Sequence, residues 1–186
     1  MHINETKIMG CYEITPNIIT DKRGAFIKTF HHEIFKENHL ETNFVEQYYS
    51  ISQQGVLRGL HFQVPPKHHV KLVYCPVGQV VDAVVDLRID SPTYGQFELF
   101  DLNDEKKNMI YIPPGLAHGF CVLSKNAVVA YNVSTVHSPA HDRGIRWDSA
   151  GISWPNLPLI VSQKDSELPA FLDFSSPFRY EEMKRQ

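Results

Sequence analysis

Short runs of β-branched and aromatic residues recur along the chain, each ended by turn residues and not by long polar stretches. They fall at 11–19, 25–30, 44–52, 71–77, 79–88, 97–102, 108–112, 119–123 and 127–133. Runs of this length and composition predict strands, about nine in all. The breaks between them are Asp21-Lys22-Arg23-Gly24, Pro76-Val77-Gly78, Ser91-Pro92-Thr93-Tyr94-Gly95, Asn103-Asp104-Glu105 and Pro113-Pro114-Gly115. Their spacing suits an antiparallel sandwich or barrel. Only 33–38 reads as a helix. The pattern predicts an all-β, jelly-roll-like double sheet with little helix, a form that commonly holds small ligands at its mouth. No repeat or linker-like stretch interrupts it, so a single unit over 1–186 is expected.

Composition narrows the function classes. A chain of 186 residues with 42% hydrophobic and 21% charged residues has enough apolar material for a real core. Its 18 basic and 21 acidic residues give a net charge of −3 without any block of like charge. A general nucleic-acid partner is therefore not expected. No run approaches the roughly 18 apolar residues of a membrane span, and the opening MHINETKIMG lacks a basic segment followed by an apolar one. The expectation is a cytoplasmic protein with no membrane partner. Cys11, Cys75 and Cys121 show no CxxC spacing and read as small buried hydrophobes, not as a disulfide framework or a zinc site.

The densest polar cluster within strand-like sequence is Gly55-Val56-Leu57-Arg58-Gly59-Leu60-His61-Phe62-Gln63, followed by Lys67-His68-His69-Val70-Lys71. In a regular strand Arg58 and His61 point to opposite faces. They can line one cavity only if the strand bends or bulges near Gly59. Histidines 61, 68, 69 and 118 invite a metal reading, but His68 and His69 are adjacent and no His-x-His with a nearby Glu occurs, so no metal is expected. P-loop, GxGxxG, Gly-x-Ser-x-Gly and HExxH signatures are absent. Acid/base chemistry without a cofactor is what remains.

Several longer motifs then occur in order: Asp21-Lys22-Arg23-Gly24, the 55–63 segment, Lys71-Leu72-Val73, Asp86-Leu87-Arg88 to Ser91-Pro92-Thr93, Ile112-Pro113-Pro114-Gly115-Leu116-Ala117-His118-Gly119-Phe120, and Ser162-Gln163-Lys164-Asp165. Over about 5–170 the chain resembles the dTDP-4-dehydrorhamnose 3,5-epimerase family. The resemblance implies a cupin-type jelly roll and a homodimer whose N-terminal strands cross to the partner. It also implies epimerisation of a nucleoside-diphosphate 4-keto-6-deoxyhexose with no cofactor. It assigns His61 as base, Asp165 as the carboxylate orienting it, Tyr131 as acid and Lys71 as the cation for the C4 oxygen. His118 would support the sugar, and Arg58 and Arg23 would hold the diphosphate, Arg23 across the dimer.

These residue types suit the reaction on their own terms. A 4-keto group acidifies the C3 and C5 protons, so the enzyme needs a base on one face, a donor on the other and a group to hold the enolate oxygen.

The chain departs from the family pattern where the nucleobase is expected. Lys28 stands in place of a Glu, Glu46-Gln47-Tyr48-Tyr49-Ser50 replaces a stretch offering Gln and Asn, and Val136-His137-Ser138-Pro139 replaces a Tyr-Tyr pair; Phe26 is kept. Phe26, Lys28, Glu46, Tyr48 and His137 are thus the base-side candidates. An ammonium only donates, which suits an acceptor at N3 such as cytosine has. A CDP-sugar is therefore the alternative to dTDP, unless Lys28 and Glu46 simply pair. Inversion at C3 alone, or at C5 alone, stays open. So do a metal-dependent cupin using His61, His69 and His118, and a non-catalytic sugar-nucleotide-binding module.

Overall fold

The computed structural model describes residues 1–180. Strands β1 (His2–Glu5), β2 (Tyr12–Thr15), β3 (Ile18–Asp21) and β4 (Gly24–Ile27) precede a short helix, α1 (His32–Glu37). The body is built by β5 (Glu46–Gln53), β6 (Val56–Gln63), β7 (Lys71–Val77), β8 (Gln79–Asp86), β9 (Phe97–Asn103), β10 (Met109–Ile112), β11 (Leu116–Val122) and β12 (Asn126–Val133). Then come β13 (Asp142–Gly144), β14 (Ile160–Val161), a one-turn helix α2 (Gln163–Ser166) and a 3-10 turn at Phe171–Asp173.

Two sheets face one another. The first has the order β1-β2-β10-β7-β12-β5, the second β13-β6-β11-β8-β9 with β14 beside β6. This is the double-sheet jelly roll that the strand pattern predicts. The expected run 11–19 divides into β2 and β3 around Pro16, which has no N–H to give to a ladder. β1 carries no apolar alternation to announce it, being the polar tetrapeptide HINE.

Burial explains why several strands read as continuous apolar runs. Between the sheets lies a core that includes Val73, Cys75, Val84, Leu102, Ile110, Phe120 and Val129. Outside the second sheet a further cluster forms, with Leu60, Phe62, Val85 and Ile145 packed against Trp154, Phe171 and Phe174. Outside the first, Phe35 of α1 joins Ile14, Leu72, Met109 and Tyr111. Phe30 meets Phe35 edge-on at 4.9 Å and Phe44 at 5.4 Å, which fixes the helix to this face. β8 and β11 are therefore covered on both sides, and alternation disappears from them. Cys11, Cys75 and Cys121 are buried free thiols, as expected.

The DLR-to-SPT motif proves to be a structural knot. Asp86 is buried and accepts from Arg88 Nε and Nη2, each at 2.8 Å, and from the Ser91 and Thr93 hydroxyls at 2.6 and 2.7 Å. The loop after β8 is thereby closed on a satisfied charge.

β6 carries the irregularity on which the site depends. Opposite β11, His61 pairs with His118 and Arg58 with Phe120, so three steps along β6 match two along β11. That extra residue is a bulge, and it turns Arg58 and His61 toward one cavity. Gly59 sits at φ +139°, and a Cβ there would lie 2.7 Å from Gly119 Cα. Both objections act on backbone, which cannot step aside. Gly59→Ala should lower stability by about 2 kcal/mol, read as a lower urea midpoint at unchanged slope.

Candidate active site

The cavity opens between the sheets at one end of the sandwich and measures about 730 Å³. The second sheet and its flanking helix supply a His–Asp pair. His61 Nε2 lies 2.7 Å from Asp165 Oδ1. The other carboxylate oxygen accepts from the Gly59 N–H at 3.2 Å, and the Ser162 hydroxyl caps α2 by accepting from the Asp165 N–H at 3.1 Å. Burial alone would raise the Asp165 carboxyl, but its bond to His61 and the Gly59 N–H outweigh that and hold it below the usual carboxylate range. An ionised carboxylate only accepts, so Nε2 carries the hydrogen. Nδ1 keeps its lone pair and is the nitrogen left to act as a base.

The first sheet supplies the opposing groups. Tyr131 on β12 and Lys71 on β7 are two steps apart across neighbouring strands, since Tyr131 pairs with Val73 and Val133 with Lys71. They share a face. Lys71 is buried and its Nζ donates to the His61 carbonyl at 3.0 Å. Burial brings its pKa down from 10.5 to about 8, against the pull of Asp142 and Asp82. Tyr131 is buried too; burial, then Asp82 and Tyr48, push its phenol well above 10, so it holds its proton. The His61–Asp165 pair and the Tyr131 phenol therefore stand on opposite sheets with the cavity between them.

His118 lines the same cavity, with Nε2 2.8 Å from Asp82 Oδ2. Burial pushes Asp82 up and His118 down, so both lean toward uncharged forms. Arg58 reaches the cavity with its Nε donating to Ser52 Oγ at 3.1 Å, while the terminal nitrogens of its fork carry no bond among the described residues. Glu46, Tyr48 and His137 line the cavity as well. Glu46 Oε2 accepts from the His137 N–H at 2.7 Å, and within the one chain no bond joins it to Lys28 among the described residues.

Three candidates lie elsewhere in this chain. Arg23, Phe26 and Lys28 belong to the β3–β4 hairpin or follow it directly, and none lines the cavity. Arg23 Nε instead bonds Asp21 at 3.0 and 3.1 Å within the hairpin turn.

Further groups at or behind the cavity complete the site. Asp82, which lies behind His118 and does not line the cavity, escapes the sequence reading; an ionisable residue inside the apolar run VVDAVV is the signal it offers. Asp142 bonds Lys164 at 2.7 Å on the rim. Gln63 accepts from the Ser138 N–H and donates to Lys67 O at 2.7 Å and to His69 Nδ1 at 3.0 Å. Burial, with Lys71 adding, takes the His69 pKa down to about 3, so it stays neutral. Each of His61, His69 and His118 thus has one ring nitrogen already engaged. Among the described residues no group of three His, Cys, Asp or Glu side chains is arranged to hold a metal.

The sequence model described as dTDP-4-dehydrorhamnose 3,5-epimerase matches residues 5–173. The chain belongs to the dTDP-4-dehydrorhamnose 3,5-epimerase family. A curated family member, the dTDP-4-dehydrorhamnose 3,5-epimerase of Methanothermobacter thermautotrophicus, is 44% identical over 166 residues, 87% of this chain and 89% of that protein. Among solved structures, the dTDP-6-deoxy-D-glucose-3,5-epimerase of Legionella pneumophila, in complex with dTDP-4-keto-L-rhamnose, is 35% identical with a TM-score of 0.92, covering 97% and 98% of the two chains. A 3'-monoepimerase from Streptomyces bikiniensis, in complex with dTDP-quinovose, is 29% identical with a TM-score of 0.85, covering 90% and 86%. The epimerase family thus matches both the motif order of the chain and its two-sheet architecture.

Proposed function

We propose that the protein is an isomerase that inverts C3 and C5 of a dTDP-linked 4-keto-6-deoxyglucose, giving the dTDP-4-dehydrorhamnose type of product. The observation that carries this reading is the opposition of the His61–Asp165 pair on one sheet to Tyr131 and Lys71 on the other. His61 Nδ1 takes the proton from carbon, the C4 oxygen gains the charge and Lys71 Nζ holds it, and the Tyr131 hydroxyl protonates the far face. One turn leaves an imidazolium and a phenolate. Proton exchange with water resets both before the second carbon reacts. Arg58 holds the diphosphate and His118 the sugar.

Relatives named for dTDP substrates support dTDP over CDP, and a monoepimerase of the same fold shows why the number of inverted carbons needs its own measurement. Proton NMR in heavy water, with dTDP- and CDP-4-keto-6-deoxyglucose in parallel, tests all of this. Deuterium should enter at both C3 and C5 of the dTDP sugar. Deuterium at C3 alone would reassign the protein to single epimerisation. Equal turnover of the CDP sugar would remove the base preference, and no exchange with either would reject the reaction.

The same reading includes a homodimer. Phe26 and Ile19 of the β3–β4 hairpin are 62% and 64% exposed, and among the described residues the hairpin's strands pair only with each other. Tyr49 and Ile51 on β5, an edge strand of the first sheet, are 67% and 65% exposed. Large apolar side chains left exposed on both elements are the kind of surface that an interface covers. The hairpin would then carry Arg23, Phe26 and Lys28 to the partner's cavity. Sedimentation should give twice the chain mass of 21.3 kDa. Arg23→Ala should keep that mass and raise KM roughly 10-fold or more, the effect of losing one charge-assisted hydrogen bond. A monomer with a complete set of activities would overturn the arrangement. Buried free thiols fit a reducing compartment and hence the cytoplasm.

A further inference from the structure

Tyr48 sits directly across the β5–β12 ladder from Tyr131. The two rings stack at 4.8 Å with only 17° between their planes. On another side of the phenol, the His118 ring stands edge-on at 5.9 Å and 72°. His118 is itself fixed by its 2.8 Å bond to Asp82, and both are buried. The Tyr131 ring is therefore clamped by a flat face and an edge, the two arrangements that aromatic quadrupoles favour.

The exposure of Tyr48 separates this contact from ordinary core packing. Tyr48 is 41% exposed and lines the cavity, so its hydroxyl end is enclosed while the side chain as a whole is not a core hydrophobe. What it does contact is the acid. We propose that Tyr48 is a positioning residue, whose ring holds the Tyr131 phenol at the angle needed to protonate the enolate from the face opposite His61. This rests on the epimerase reading above and moves Tyr48 from the nucleobase side to the acid. Its own hydroxyl, pushed up to about 12 by burial and by Glu46 and Asp142, stays neutral and adds no charge beside Tyr131.

The enolate has two fates, and only one passes through Tyr131. If His61 returns a proton to the face it came from, the starting sugar is regenerated. In heavy water that sugar carries deuterium, because the His61 side chain is 32% exposed and exchanges with solvent. If Tyr131 delivers the proton, the carbon is inverted. Misplacing Tyr131 slows the second fate and leaves the first. A general loss of structure would slow both together.

The experiment is the ratio of deuterated starting sugar to inverted product, followed by NMR for wild type, Tyr48→Ala, Tyr48→Leu and Tyr48→Phe. With Tyr48→Ala the ratio should rise roughly 10-fold or more, since small displacements of a reacting group are costly. Tyr48→Leu keeps bulk without a flat face and should rise alike, which covers the case in which the alanine variant fails to fold. Tyr48→Phe keeps the ring and should keep the wild-type ratio, whatever its overall rate. Tyr131→Phe sets the limit of exchange without inversion. An unchanged ratio in Tyr48→Ala and Tyr48→Leu, with wild type active, would overturn the role of Tyr48 and leave the epimerase standing. A rise in Tyr48→Phe equal to that in alanine would overturn the role of the ring. Absence of exchange in wild type would remove the reaction itself, and the positioning role with it.

Discussion

His61→Ala should abolish deuterium entry at C3 and C5 together, lowering both rates by roughly 10²- to 10⁴-fold. Both carbons fall because a single nitrogen, Nδ1, serves each. Asp165→Asn should fall almost as far for a different reason. The amide can donate to Nε2, and a histidine that accepts there carries its hydrogen on Nδ1 and has no lone pair for carbon. The two variants differ in stability. In His61→Ala the Asp165 carboxylate stays buried at 4% exposure without its partner. Its pKa is depressed in the wild-type fold, so the pairing contributes stability above the unfolded carboxylate value and loses it as pH falls through the folded value. The urea midpoint of His61→Ala should therefore lie below wild type at neutral pH and converge with it in acid. A constant gap across pH would show that His61 stabilises by packing alone.

How much of this was legible in the sequence depends on the range of the interaction. Strand-length runs with Gly and Pro punctuation are local, and they led to the two-sheet architecture before any contact was known. Where the reading slipped, the cause is physical. β1 has no apolar periodicity because it packs as an edge, and 11–19 breaks at a proline whose missing N–H acts only once a ladder exists. The alternation rule placed Arg58 and His61 on opposite faces of β6. The bulge at Gly59 reverses that, and the close approach of Gly119 on β11 leaves room for no side chain there, a long-range contact that a strand-by-strand reading does not contain.

The site shows the same division. His61, Lys71, Tyr131 and Asp165 come from β6, β7, β12 and α2, far apart in the chain, and no spacing rule connects them. Order of motifs and family resemblance did so. Asp82 was missed because its partner His118 lies 36 positions away, so the charge in VVDAVV had no visible reason. Arg23, Phe26 and Lys28 lie on an arm outside the cavity of their own chain. The same exposure that separates them from that cavity supports a second copy as their destination.

Lys71 offers the sharpest separation of function from stability. Lys71→Met should lose roughly 10²- to 10³-fold in kcat, the usual effect of removing one group that meets developing charge on oxygen. In wild type, kcat/KM should fall on the alkaline side with an apparent pKa near 8, as the ammonium loses its proton. That limb should be absent from the residual activity of Lys71→Met. Stability should move the other way. Lys71 is 7% exposed, and its folded pKa of about 8 lies below the ordinary lysine value of 10.5. Between those values the unfolded chain binds the extra proton, so wild-type stability rises with pH across that window, and below about 8 the full cost of burying the charge is present. Methionine fills the same volume without a charge. Lys71→Met should thus be more stable than wild type at neutral pH, by about 1–3 kcal/mol after loss of the bond to the His61 carbonyl, and the difference should shrink as pH climbs toward 10. Urea midpoints at several pH values, measured beside the NMR exchange rates, check both halves. A variant less stable at neutral pH would mean that the bond from Nζ to His61 outweighs desolvation, and that Lys71 supports the fold of the site as well as its chemistry.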